Sequence, residues 1–190
     1  MQDAATFLAQ EAVASIVDAF ERNKGFFISR IPALCQQLEY LVRRCRQLRH
    51  TGLQLQGQSL LTEQLFCLFG VRVEVPANRQ LSVLAALLRH TLMVGVSLRQ
   101  PPPPHSMRST SMLDWQDDGD LTMLALDGKL NELSHCFPAC VRIVELRYFA
   151  RLKLRDIAAE LEQPVIAVTR DLRFAEAWLL SRMEPEQVWV

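Results

Sequence analysis

Three residues near the C-terminus, Thr169, Arg170 and Arg173, have the side chains that read DNA bases. An arginine can donate two hydrogen bonds to guanine O6 and N7 in the major groove, and a threonine can meet a base edge or a methyl group. Lys153 and Arg155, a short way upstream, are cations of the kind that hold phosphates. Taken singly, each of the five could equally be a solvated surface charge, so their meaning depends on the elements that carry them. Catalytic chemistry finds little support. His50, His90, His105 and His135 stand apart, and there is no glycine-rich phosphate loop, carboxylate pair or nucleophile in a recognisable motif. Cys136 and Cys140 could share a helix face, but no His or Cys cluster accompanies them at zinc spacing. Neither an enzyme nor a cofactor or metal site is expected.

The elements around the candidate residues are helical. Leu154, Ile157, Ala158 and Leu161 recur at i, i+3, i+4 and i+7, which predicts a short helix ended before Pro164. Val165, Val168, Leu172, Ala175 and Leu179 then make the stripe of a longer helix, with Phe174 and Trp178 read as core beside it. A short helix, the turn Glu162-Gln163-Pro164 and a longer helix give the order of a helix-turn-helix. In that motif Thr169, Arg170 and Arg173 ride on the helix that enters the groove, while Lys153 and Arg155 begin the helix before it. Upstream, Pro138 stands at a first helical position and opens a helix to Ala150, and Leu126, Leu130 and Leu133 mark another.

The first hundred residues are helical too. Ile31, Leu34, Cys35, Leu38, Leu41, Val42, Cys45 and Leu48 form one apolar stripe, with Arg43, Arg44, Arg46 and Arg49 at its edges. Those arginines are either a solvated face or a basic edge turned to DNA or a protein partner. Further helices are expected over about 3–21, 58–69 and 79–99; Val71 to Val75 alternates like a strand but has nothing to pair with and is read as a loop. Leu92 to Val96 is almost wholly apolar, which implies burial or a sticky face for a partner.

Pro101 to Pro104 cannot continue a helix, and the polar run to Asp120 reads as a linker. Charge changes at the same place. Residues 1–100 hold 11 Lys and Arg against 7 Asp and Glu, residues 101–120 hold 1 against 4, and residues 121–190 hold 9 against 10. The expected fold is therefore all-α, with a helical domain over 1–100, a Pro-rich acidic linker over 101–120 and a helix-turn-helix domain over 121–186. A net charge of zero argues against binding nucleic acid by electrostatics alone. No signal peptide or long uninterrupted apolar run is found, and the odd, scattered cysteines suit reduced thiols, so a cytoplasmic protein without a membrane span is expected.

Two segments resemble the extracytoplasmic-function (ECF) group of the sigma-70 superfamily. Phe137-Pro-Ala-Cys-Val-Arg-Ile-Val-Glu-Leu-Arg-Tyr-Phe149, followed by Leu152-Lys-Leu-Arg-Asp-Ile-Ala-Ala-Glu-Leu161, is similar to that group's region 4. Val168-Thr-Arg-Asp-Leu-Arg-Phe-Ala-Glu-Ala-Trp-Leu179 resembles the recognition helix of one subgroup. A weaker, collinear likeness to region 2 runs from Ile31-Pro-Ala-Leu34 through the Arg43-Arg44 helix and Leu60-Leu61-Thr62-Glu63 to Arg79–Arg99. The resemblance implies a transcription initiation factor with core RNA polymerase and −35 promoter DNA as partners, an anti-sigma or other regulatory protein as a further one, and Glu63 and Gln64 on the polymerase clamp. The alternative is a sigma-like regulator that works through protein contacts without opening DNA. It is raised by Arg89-His-Thr-Leu-Met-Val-Gly-Val-Ser-Leu-Arg99, where the family carries a charged, base-contacting helix end.

Overall fold

A computed structural model describes residues 2–23, 25, 29–51, 54–99 and 119–183 of the chain. Among them the regular structure is helical: α1 (Gln2–Arg22), α2 (Ile31–His50), α3 (Gln54–Phe69), α4 (Gln80–Arg99), α5 (Gly119–Cys136), α6 (Pro138–Val144), α7 (Leu154–Leu161) and α8 (Val165–Met183). A single tight turn, Ala77–Arg79, leads into α4, and α6 runs on as a wider turn over Glu145–Phe149. The alternating run at Val71 to Val75 forms no strand. The residues at 101–118 assigned to a linker lie outside those described.

The helices bury most of the stripes their spacing predicts. Ile31, Leu34, Leu38, Leu41, Val42, Cys45 and Leu48 are all buried on α2, as are Leu126, Leu130 and Leu133 on α5. Helix α3 starts at Gln54, four residues before the expected Gln58, and buries Leu61, Leu65 and Phe69. The buried residues of both halves join in one contiguous cluster, and α4 is its middle. It packs on α1 and α2 on one side and on α5 and the Glu145–Phe149 turn on the other. Its apolar character follows from that place. The stretch Ala77–Ser97 is long and apolar enough to cross a membrane by composition, yet 78% of its apolar window is buried inside the protein.

The apolar end of α4 is explained in the same way. Met93, Val94 and Gly95 are buried, Val96 is half-buried and Leu92 is the more exposed. A Cβ at Gly95 would stand 3.1 Å from Ile31 Cγ2, so glycine lets α4 approach the start of α2 closely.

A polar junction closes over the outer side of α4. Arg89, only 8% exposed, donates from Nε to Asp127 Oδ1 (2.7 Å), from Nη1 to Glu145 Oε1 (3.0 Å), and from Nη2 to Asn131 Oδ1 (2.7 Å) and the Asp127 carbonyl (3.2 Å). Burial pushes the Glu145 carboxyl above its ordinary range, and the charge and hydrogen bond of Arg89 pull it back. Two arginines at the end of α2 reach the same half of the molecule. Arg46 Nη2 lies 2.8 Å from Asp156 Oδ2, and Arg49 pairs with the fully buried Glu160 while donating to the Ala77 carbonyl at 3.0 Å. Of the four arginines read as a face or a basic edge, Arg43 and Arg44 are exposed and the other two are ion-paired to α7.

The cysteines divide by burial. Cys45 and Cys140 are buried, Cys35 is half-buried, and Cys67 and Cys136 are exposed. Cys136 ends α5 whereas Cys140 belongs to α6, so the two do not share a helix face as their spacing had allowed. Burial raises the Cys45 thiol to about 11, leaving almost no thiolate near neutrality. A thiol-reactive chromogenic disulfide at pH 8 is expected to modify Cys67 and Cys136 quickly and to reach Cys45 and Cys140 only on unfolding. Rapid reaction of four or more thiols in the folded protein would contradict this packing.

Candidate nucleic-acid interface

The local geometry of the helix-turn-helix begins at Leu152, which is fully buried and anchors the chain between α6 and α7. Its amide donates to the Leu146 carbonyl (3.0 Å) and its carbonyl accepts from Arg147 Nη1 (2.9 Å). Lys153 follows in an extended conformation as the residue that caps α7, and its carbonyl accepts from the Ile157 amide at 3.0 Å. Lys153 and Arg155 are both exposed there. The amides of a helix's first turn carry partial positive charge, so two cations at that end make the site attractive to a phosphate.

At the other end of α7 the chain reverses through Glu162, which adopts φ 54° and ψ 41°. Gln163 closes the turn by donating its amide to the Ala158 carbonyl at 2.9 Å. This left-handed position suits glycine, and a side chain there is strained by about 1 kcal/mol. Glu162→Gly is therefore expected to raise stability by up to about 0.5 kcal/mol after the added freedom of the unfolded glycine is counted. It also removes an exposed carboxylate from the turn before α8. A thermal unfolding midpoint that falls in this variant would show that Glu162 is held by more than its backbone geometry.

Helix α8 buries Val168, Leu172, Ala175 and Leu179. Val165, expected in that stripe, is exposed instead, because it lies at the helix start beyond the reach of the core. With 100° per residue, the face opposite the buried stripe carries Ile166, Arg170, Arg173 and Ala177. All four are exposed. Arg170 Nε is 2.9 Å from Asp171 Oδ1, so part of its charge is offset, while Arg173 has no ion pair among the described residues. Thr169 stands at the edge of this face, half-buried, and its hydroxyl donates to the Val165 carbonyl at 2.8 Å. Phe174 is not core: it is 42% exposed and meets Phe137 edge to face, with ring centroids 4.9 Å apart. Trp178 is partly buried against the core and carries Arg182 over its ring at 4.1 Å.

The five residues singled out from sequence thus fall on two adjacent helices, with Lys153 and Arg155 at the start of α7 and Thr169, Arg170 and Arg173 in the first half of α8. Glu63 and Gln64 are elsewhere. They lie on α3, exposed and half-buried respectively, and that helix packs on α1, α2 and the Ala77–Arg79 turn rather than on α7 or α8. Sequence reasoning passed over Ile166, whose exposure cannot be told from its apolar type. It also missed Asp156 and Glu160 as partners of α2, since pairs more than a hundred residues apart leave no local pattern. A cleft of about 500 Å³ between α2, the Ala77–Arg79 turn and α7 is lined by Arg46, Arg49, His50, Asp156 and Glu162, a set dominated by mutually paired charges. No group of three or more metal-ligating side chains occurs among the described residues.

The class this geometry defines is an all-α protein with a helix-turn-helix. Residues 105–185 match the family model of the ECF sigma factor, less than half of the chain, and over that segment the protein is similar to ECF sigma factors. The family is one of non-enzymatic, DNA-binding transcription regulators. No curated protein and no solved structure matches the chain.

Proposed function

We propose that this chain acts as an ECF-type initiation factor that binds core RNA polymerase and −35 promoter DNA in the cytoplasm, with α8 as the recognition helix. The observation that carries the reading is the exposed outer face of α8 together with the exposed cations at the start of α7, both within the family-matching segment. Arg170 and Arg173 read guanines from that face, Thr169 meets a base from its edge, and Lys153 and Arg155 hold the flanking phosphates. Residues 1–100 form the polymerase-gripping domain, with Glu63 and Gln64 toward the clamp, residues 101–120 the linker and residues 121–186 the promoter-reading domain. A regulatory protein of the anti-sigma kind is a further partner.

One feature favours a second reading for the opening step. Strand separation needs polar or aromatic groups that hold unstacked bases, and the end of α4 is instead buried through Met93, Val94 and Gly95. A chain so built binds polymerase and regulates it without melting DNA through this helix. Pull-down of core RNA polymerase with the purified chain, followed by run-off transcription on a genomic promoter pool, separates the two. Binding with specific transcripts supports the initiation factor, binding without transcripts supports the regulator, and no binding overturns both.

A further inference from the structure

Ile166 is 84% exposed, the most exposed of the large apolar side chains described. It is the second residue of α8, where a recognition helix first enters the major groove. Single apolar residues on a protein surface are ordinary. Ile166 differs in its position, because it shares one stripe with Arg170 and Arg173 at i, i+4 and i+7, the two cations that face outward beside it. Once that face enters a groove, the isoleucine leaves water together with the arginines. Every base edge there offers hydrogen-bonding atoms, and the one apolar group on the groove floor is the C5-methyl of thymine. An isoleucine on this stripe gains nothing from a guanine, adenine or cytosine edge and would leave their polar atoms unpaired.

We propose that Ile166 is a specificity-determining residue that reads a thymine by packing on its C5-methyl group. The inference rests on α8 being the recognition helix. Four residues of helix advance about 6 Å, and base pairs are about 3.4 Å apart, so the thymine lies roughly two base pairs from the base that meets Arg170. Val165, 41% exposed, borders the same spot and extends its apolar surface.

The test uses a duplex enriched from a random pool by the full chain together with core RNA polymerase. Each thymine of that duplex is replaced in turn by deoxyuracil, which removes the methyl group and no hydrogen-bonding atom. Wild type is expected to bind about fourfold more weakly at one position, the worth of one buried methyl group. Ile166→Ala is expected to bind the thymine and deoxyuracil duplexes equally while keeping its response at the guanine positions. Enrichment of a duplex in which every deoxyuracil replacement is silent, or an effect that survives in Ile166→Ala, overturns the thymine contact and leaves promoter reading intact. Failure to enrich any duplex overturns promoter reading itself, and the contact with it.

Discussion

Replacing Arg89 by methionine is expected to lower the unfolding free energy by about 3–5 kcal/mol, because it strips a buried carboxylate of its partner and keeps the volume. Arg89 makes four hydrogen bonds across the junction, to Asp127, Asn131 and Glu145, and its side chain is 10% exposed. Glu145, 13% exposed, is the group left stranded. The loss is expected to depend on pH. Burial already holds the Glu145 carboxyl above its ordinary value of 4.5, and without Arg89 it rises further. A carboxyl whose folded pKa lies above its unfolded one binds its proton more tightly when folded, so stability increases as pH falls through that folded value toward 4.5. The deficit of Arg89→Met against wild type therefore narrows from pH 7 to pH 5 in urea unfolding. A deficit below about 1 kcal/mol, or one that does not change with pH, would mean that the junction is solvated and contributes little.

Arg173→Ala is expected to weaken binding to a selected promoter duplex by about 1–3 kcal/mol, roughly five- to 150-fold, and to relax the base preference at one position. Lys153→Ala provides the contrast. A phosphate contact carries no sequence information, so its loss weakens all duplexes alike and flattens the salt dependence of binding by about one unit of slope. Arg173 is the sharper probe of the two outward arginines, because Arg170 already shares its guanidinium with Asp171. Binding isotherms for wild type and both variants at several salt concentrations, on selected and scrambled duplexes, give both quantities. Equal losses on both duplexes for Arg173→Ala would reassign it from base reading to phosphate holding.

The sequence carried the helices well because their burial is periodic. The α2 stripe from Ile31 to Leu48, the α5 triad of Leu126, Leu130 and Leu133, and the Pro164 break between α7 and α8 are local signals, and each recurs in the structure. What escaped is what depends on distance in sequence. Arg46 and Arg49 could be read only as an edge of unknown purpose, and their carboxylate partners on α7 are brought by tertiary packing alone. Phe174 misled for a related reason: an aromatic beside an apolar stripe is usually covered, but here it sits on the rim of α8 against Phe137. Within the candidate interface, helix spacing was enough to group Arg170 with Arg173. It could not show that the Thr169 hydroxyl turns back to Val165, or that Ile166 has nothing over it.

The position of α4 constrains how this protein can change. Its two flanks are walls of different rooms, one lined by α1 and α2, the other by α5 and the turn at Glu145. A substitution that refits α4 to one neighbour is felt by the other through a single helix radius, so drift on the two sides must stay in step. Over evolutionary time the N-terminal half and the C-terminal half are then expected to diverge jointly, with compensating changes paired across α4.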